Sequence, residues 1–286
     1  MTRDTSATAS SANLAHDLQY AAELARGAGK IVLGHYGKVE RLTKTHSMTT
    51  DEAVTDADRE SQRYIVAGLR RRYPTDGLVG EENDTGSAIT FDCPNPDGRV
   101  WVIDPIDGTN NFVAGLGAFA VCIGLMDRGL PVLGVVYDVS RDLMYTAAAG
   151  HGAWLGTRRL AVRPEPMNDT AMVMLTSNLL DKAGRCPPFP TRWLAQTNWK
   201  IRILGSAALE AVQVAAGVAQ AAITMNGKLW DVAAPAAIVQ EAGGLIVSLA
   251  GDPIFPFDLR GYSGAKVPFI ATTPAAKNVM VDEVGR

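Results

Sequence analysis

Apolar residues recur at helical spacing early in the chain, at Leu14, Leu18, Ala21, Ala22, Ala25, Val32 and Leu33, and the pattern closes at Gly34. It predicts a first amphipathic helix, preceded by a disordered polar tail over residues 1–12. The polar stretch Lys44 to Glu52 predicts a mobile loop. Thr55-Asp56-Ala57-Asp58 has the form of a helix start, and Tyr64, Ile65, Leu69 and Tyr73 form an apolar stripe that Pro74 ends. A second helix is therefore expected over 56–72. Short apolar runs at 77–80 and 99–103 predict buried strands, each followed by acidic residues.

Between Ala118 and Val162, turn signals at Asp127-Arg128-Gly129, Asp138 to Arg141, Gly150 to Gly152 and Gly156-Thr157 cut strand-like runs at hairpin distances. That spacing predicts an antiparallel meander. Further strands are expected at 171–176, 201–204, 221–225, 245–249 and 268–272, with helices at 206–217, 231–242 and the C-terminus. Cys186 to Pro190 reads as a Pro-rich surface loop. Helices on both sides of a meander, with more strands interleaved, predict a layered α/β sandwich rather than a TIM barrel or a simple Rossmann sheet. A break near residue 160 divides the expected fold into an N-terminal half, 13–160, and a C-terminal half, 161–286.

Composition narrows the function without choosing it. The 286 residues are 47% hydrophobic and 20% charged, which excludes disorder, collagen and coiled coil as descriptions of the whole chain. With 27 basic and 30 acidic residues the net charge is −3, so no global field attracts nucleic acid or an anionic membrane. Any anionic substrate must be held locally. Cys93, Cys122 and Cys186 cannot all pair and lack CxxC spacing, and the N-terminal segment lacks the apolar core of a signal peptide. A cytoplasmic protein is expected, with no membrane partner. His16, His35, His46 and His151 show no metal-ligand spacing.

The chemistry is concentrated in Trp101 to Phe112, where an apolar strand delivers Asp104 and Asp107 into a turn that opens into Gly108-Thr109-Asn110-Asn111. Pro105 would hold that turn by its fixed φ, and Gly108 would let backbone approach a ligand. Two carboxylates on one turn repel unless a cation lies between them, and hard oxygen donors suit Mg²⁺. A helix start beside them offers N–H groups to an anion. Capping alone would also explain an isolated Asp-x-x-Asp. Gly80-Glu81-Glu82, and Asp231 at the start of an Ala-rich helix, add the further acids that a multi-metal phosphate site needs.

Together, Gly80-Glu81-Glu82, Asp104-Pro105-Ile106-Asp107-Gly108-Thr109-Asn110-Asn111-Phe112, and Trp230-Asp231-Val232-Ala233-Ala234 followed by Glu241-Ala242-Gly243-Gly244 resemble the signatures of the inositol monophosphatase family, in order. Val54-Thr55-Asp56-Ala57-Asp58 is similar to its N-terminal element, and the resemblance spans residues 14–275. It implies the α/β/α/β/α sandwich of the inositol monophosphatase and fructose-1,6-bisphosphatase type, usually a homodimer, acting on a small-molecule phosphate monoester. Two to three Mg²⁺ ions are implied, with lithium as an inhibitor. Glu81, Asp104 and the carbonyl of Ile106 would bind one ion, Asp104, Asp107 and Asp231 a second, and Glu81 with Asp58 a weaker third. For Asp58, a helix cap is an equal alternative.

By the same resemblance Glu81 and Thr109 would orient the attacking water, and the Gly108 and Thr109 N–H groups would hold phosphate oxygens. The leaving group would meet Asp107, Asp231, Gly205, Ser206, Ala207 and Thr224. Where inositol phosphatases often carry a Glu, this chain has Thr224. The first expectation is a polyol monophosphate such as inositol 1-phosphate; histidinol phosphate or another sugar phosphate is the second. A partner of the transcription machinery is a third, with only Arg70-Arg71-Arg72 and Arg158-Arg159 as basic contacts.

Overall fold

The computed structural model describes residues 5–38, 48–82, 90–180 and 184–286, with the backbone alone at 5–12 and 48–55. Two helices come first, α1 (Thr5–His35) and α2 (Met48–Arg72). Both start earlier than the apolar stripes indicate. Residues 5–12 of the expected tail belong to α1, and 48–52 of the expected loop belong to α2, while residues 1–4 and 44–47 lie outside the described residues. Asp58 is therefore ten residues inside α2, which removes it as a helix cap. Small residues such as Ser, Thr and Ala extend a helix without leaving an apolar period to detect.

Eight strands form the first sheet: β1 (Gly77–Gly80), β2 (Thr90–Asp92), β3 (Arg99–Asp107), β4 (Ala120–Asp127), β5 (Leu130–Asp138), β6 (Leu143–Ala148), β7 (Gly152–Leu155) and β8 (Arg158–Leu160). Their order is β2-β1-β3-β4-β5-β6-β7-β8, and β4 to β8 are the antiparallel meander. β1 and β3 run parallel, so Glu81 and the end of β3 emerge at the same edge. A short helix, α3 (Thr109–Val113), follows β3 directly.

The second sheet has the order β10-β9-β11-β13-β12, built from β9 (Met172–Leu175), β10 (Lys200–Arg202), β11 (Ala221–Thr224), β12 (Leu245–Val247) and β13 (Phe269–Thr272). Its helices are α4 (Pro188–Gln196), α5 (Ala207–Ala215), α6 (Leu229–Glu241) and α7 (Lys277–Gly285). The expected loop at 186–190 is a loop only to Pro187, since Pro188 opens α4. Proline is tolerated in a first helical turn, where its missing N–H has no intrahelical partner to lose.

Three apolar clusters stack the layers. α1 and α2 pack Leu24, Ile65 and Leu69 against Trp101, Ile123 and Val135 on one face of the first sheet. α5 and α6 lie between the two sheets, with Leu209, Val212, Trp230 and Ile238 meeting Val102, Val136, Ala222 and Phe269. α4 and α7 cover the far face of the second sheet through Phe189, Trp193 and Met280. The result is the five-layer α/β/α/β/α order. Among the described residues, no helix is long and apolar enough to cross a membrane.

α6 sits unusually low on the first sheet because Gly124 and Gly134 face each other across β4 and β5. A Cβ on Gly134 would lie 2.1 Å from the Ala234 carbonyl oxygen, and one on Gly124 2.9 Å from the Ala234 nitrogen. Gly134→Ala is expected to force helix and sheet apart and to lower unfolding stability by about 1–3 kcal/mol. An unchanged denaturation midpoint would contradict that close approach. At its other end α6 is tied down by Glu241, whose carboxylate accepts from the N–H groups of Gly150 (3.0 Å) and Gly152 (2.8 Å) in the β6–β7 hairpin.

Candidate active site

In a regular strand, residues three apart point to opposite faces. Asp104 and Asp107 nevertheless meet, because the register of β3 against β4 slips between them: Asp104 opposes Cys122, while Asp107 opposes Ala120. Three steps on β3 match two on β4, so one extra residue turns both carboxylates the same way. The turn expected after the strand is thus a bulge within it, and Gly108 follows in the left-handed region at φ 91°. Asp231 arrives from the first turn of α6, where its carboxylate accepts from the Lys228 N–H at 2.6 Å. Oxygens of Asp104, Asp107 and Asp231 all lie within 4.8 Å of one another.

Glu81 stands beside this trio, with its backbone N–H bonded to the Ile103 carbonyl at 3.2 Å. Burial pushes its carboxyl up to about 8, with the Asp231 charge adding to the shift. Burial and then Glu81, Asp107 and Asp231 drive Asp104 well above the usual carboxylate range. Asp107 is pushed by burial and Asp231 up to about 7, against donors from Ser206, Ala208 and Ala207. Asp231 is raised by burial, held back by the Lys228 N–H. Asp58, buried in α2, is lifted to about 9 by burial and by Glu82 and Glu81. Carboxylates that resist ionising beside one another call for a cation. The donor set is all oxygen, which fits a hard divalent ion rather than zinc or copper.

Other predicted residues take definite places. The Ile106 carbonyl accepts from Thr109 Oγ1 at 2.8 Å. Asp107 accepts from Ala207 N at 3.1 Å, Ala208 N at 2.9 Å and the Ser206 hydroxyl. Ser206 is thereby turned onto Asp107 instead of lining the adjoining cavity. That cavity, about 260 Å³, is lined by Asp107, Gly108, Thr109, Gly205, Ala207, Thr224 and Asp231. Trp230 is buried and meets Tyr262 edge to face, a packing role. His35 pairs with Glu60 at 3.0 Å, away from the site.

Sequence reasoning missed one wall of the cavity, which is made by Thr176, Ser177, Asn178 and Asn226. Thr176 to Asn178 directly follow β9, and Thr224 ends the parallel neighbour β11. Ligands gather beyond the carboxyl ends of parallel strands, so the position after an apolar run was the available signal.

Buried acids gathered from the first sheet and from the helix that lies between the two sheets, next to a polar cavity, define a metal-dependent hydrolase. The chain belongs to the inositol monophosphatase family, whose model matches residues 13–280. It is a phosphatase, a phosphoric monoester hydrolase. It is 36% identical over 237 residues to the Nus factor SuhB of Pasteurella multocida, covering 82% of this chain and 85% of the relative. It is 35% identical over 237 residues to a histidinol-phosphatase of Chlorobaculum parvum, covering 82% and 86%. The solved structure of an inositol monophosphatase from Thermotoga maritima superposes with a TM-score of 0.76 at 31% identity, covering 94% of this chain and 97% of that one.

Proposed function

We propose that this chain hydrolyses a small polyol monophosphate, inositol 1-phosphate first among them, using two to three Mg²⁺ ions. The observation that carries this reading is the cavity wall of Thr176, Ser177, Asn178, Thr224 and Asn226 beside the acids. Among the described residues its only charged lining side chains are Asp107 and Asp231, and both belong to the carboxylate trio. Thr224, whose buried hydroxyl has no partner among the described residues, ends β11 at this wall. Among the described residues no spare acid is left there to pair with an ammonium, which favours a neutral polyol over histidinol phosphate.

Glu81, Asp104 and the Ile106 carbonyl would hold one ion, Asp104, Asp107 and Asp231 another, and Glu81 with Asp58 a third. Bound there, Mg²⁺ supplies charge neutralisation and a more acidic water. Glu81 and Thr109 would orient the attacking water, and the Gly108 and Thr109 N–H groups would hold phosphate oxygens. Gly205, Ala207 and Thr224 face the leaving group, while Ser206 acts on it only through Asp107. The protein would work as a cytoplasmic homodimer. A transcription-machinery role is less well supported, because the Arg70–Arg72 cluster is already engaged. Arg70 pairs with Asp92, Arg71 reaches the Tyr20 hydroxyl at 3.5 Å, and Arg72 lies over the Tyr20 ring.

Phosphate release from inositol 1-phosphate, glycerol 2-phosphate, histidinol phosphate, fructose 1,6-bisphosphate and adenosine 3′,5′-bisphosphate tests the assignment. Mg²⁺-dependent, lithium-sensitive turnover of the first two is expected. Silence on both, with turnover of another ester, would overturn the polyol reading and leave the phosphatase intact.

A further inference from the structure

Glu210 is fully buried on α5, yet nothing in the proposed chemistry uses it. One of its oxygens, Oε1, accepts from the N–H groups of Leu204 (2.7 Å) and Gly205 (3.0 Å). The other, Oε2, has no partner among the described residues. A buried carboxylate with an unpaired oxygen costs stability, so packing alone does not account for it. What it grips is the strap of chain that leads into α5. Asn111 grips the same strap from the other side, its Nδ2 donating to the Leu204 carbonyl and to the Ala118 carbonyl, each at 2.7 Å. Immediately beyond the strap, Ser206, Ala207 and Ala208 supply the three donors that fix both oxygens of Asp107.

We infer that Glu210 is a positioning residue for the cation site: by holding the 204–205 strap against Asn111 it sets the N-terminus of α5, and through it the carboxylate of Asp107. The inference rests on the cation reading of the Asp104, Asp107 and Asp231 cluster. Asp107 reaches its place from the first sheet, but the donors that orient it come from the second half of the chain. Glu210 is the residue that fixes their distance. Groups that orient a ligand from behind typically change metal affinity by about 10–100-fold when removed.

The test is direct Mn²⁺ binding to the whole protein by titration calorimetry, with thermal unfolding measured in parallel. Glu210→Leu removes the acceptor and the buried charge together, and is expected to weaken Mn²⁺ binding on the order of tenfold. Glu210→Gln keeps an acceptor oxygen for the Leu204 and Gly205 N–H groups and is expected to bind within about twofold of wild type. Asn111→Ala releases the strap from its other side and is expected to weaken binding in the same direction. Glu241→Ala is the control, since it removes a carboxylate that also holds two backbone N–H groups but far from the acids. It should lower the melting temperature and leave Mn²⁺ affinity unchanged. Wild-type affinity in both Glu210→Leu and Asn111→Ala would overturn the assignment and leave the cation site standing. Should Glu210→Leu not fold, Asn111→Ala decides alone by the same criterion. Wild-type protein that binds no Mn²⁺ would overturn the cation reading and this inference with it.

Discussion

Asp104→Asn is expected to reduce phosphate release on the order of 10³-fold while raising the melting temperature of the metal-free protein. The two effects share one cause. Asp104 lies at the centre of the acid cluster, with Glu81, Asp107 and Asp231 all opposing its charge. Asparagine keeps the oxygen that accepts from the Ile106 N–H at 3.0 Å, so the bulge retains its internal bond. What disappears is an acid that must ionise to hold a cation, and whose ionisation, free in the unfolded chain, the empty fold opposes. Turnover measured with excess Mg²⁺, and unfolding measured in chelator, separate the two. Wild-type turnover, or a lower melting temperature in chelator, would show that Asp104 is not the shared acid of the site.

The second large effect is in the pH dependence of stability. Asp107, Glu81, Glu210 and Asp58 have carboxyls raised to about 7, 8, 8 and 9 respectively. In the unfolded chain such groups ionise near pH 4. Between those limits the native state holds protons that the unfolded state has released, so the contribution of these four groups is full below about pH 4 and is lost as pH rises toward about 9. Chelated protein should lose on the order of 10 °C in melting temperature between pH 5.5 and 9. Excess Mg²⁺ should remove most of that slope, because a cation replaces the protons on the cluster. Glu210 lies outside the cluster, so a small residual slope should persist. An identical slope with Mg²⁺ and with chelator would place the raised acids away from any cation.

Much of this site was legible in the residues. Asp104, Asp107 and Asp231 could be paired from their places at strand and helix ends, because acids there have few structural reasons to accumulate. Their common facing was not legible, since it depends on a register slip that appears only when β4 is laid beside β3. The family resemblance implies Ser206 as a substrate contact, and its hydroxyl is engaged by Asp107, a partner 99 residues away. Long-range donors of this kind leave no periodic trace. The meander from β4 to β8 was read from its turn residues, which are local. The starts of α1, α2 and α4 were not, because small residues and proline extend helices without an amphipathic stripe.

The glycine pair under α6 bears on how such a protein can diverge. Asp231 is placed by a helix that touches the sheet backbone to backbone, through Ala234 against Gly124 and Gly134. No large side chain intervenes whose replacement would move it. The cavity wall at 176–178 and 224–226 hangs instead from the ends of the second sheet. Substitutions there can drift without displacing the acids, whereas the notch tolerates almost none. Such a division permits change of one part without the other: a reaction centre held fixed by contact between main chains, beside a wall free to be rewritten for a new ester.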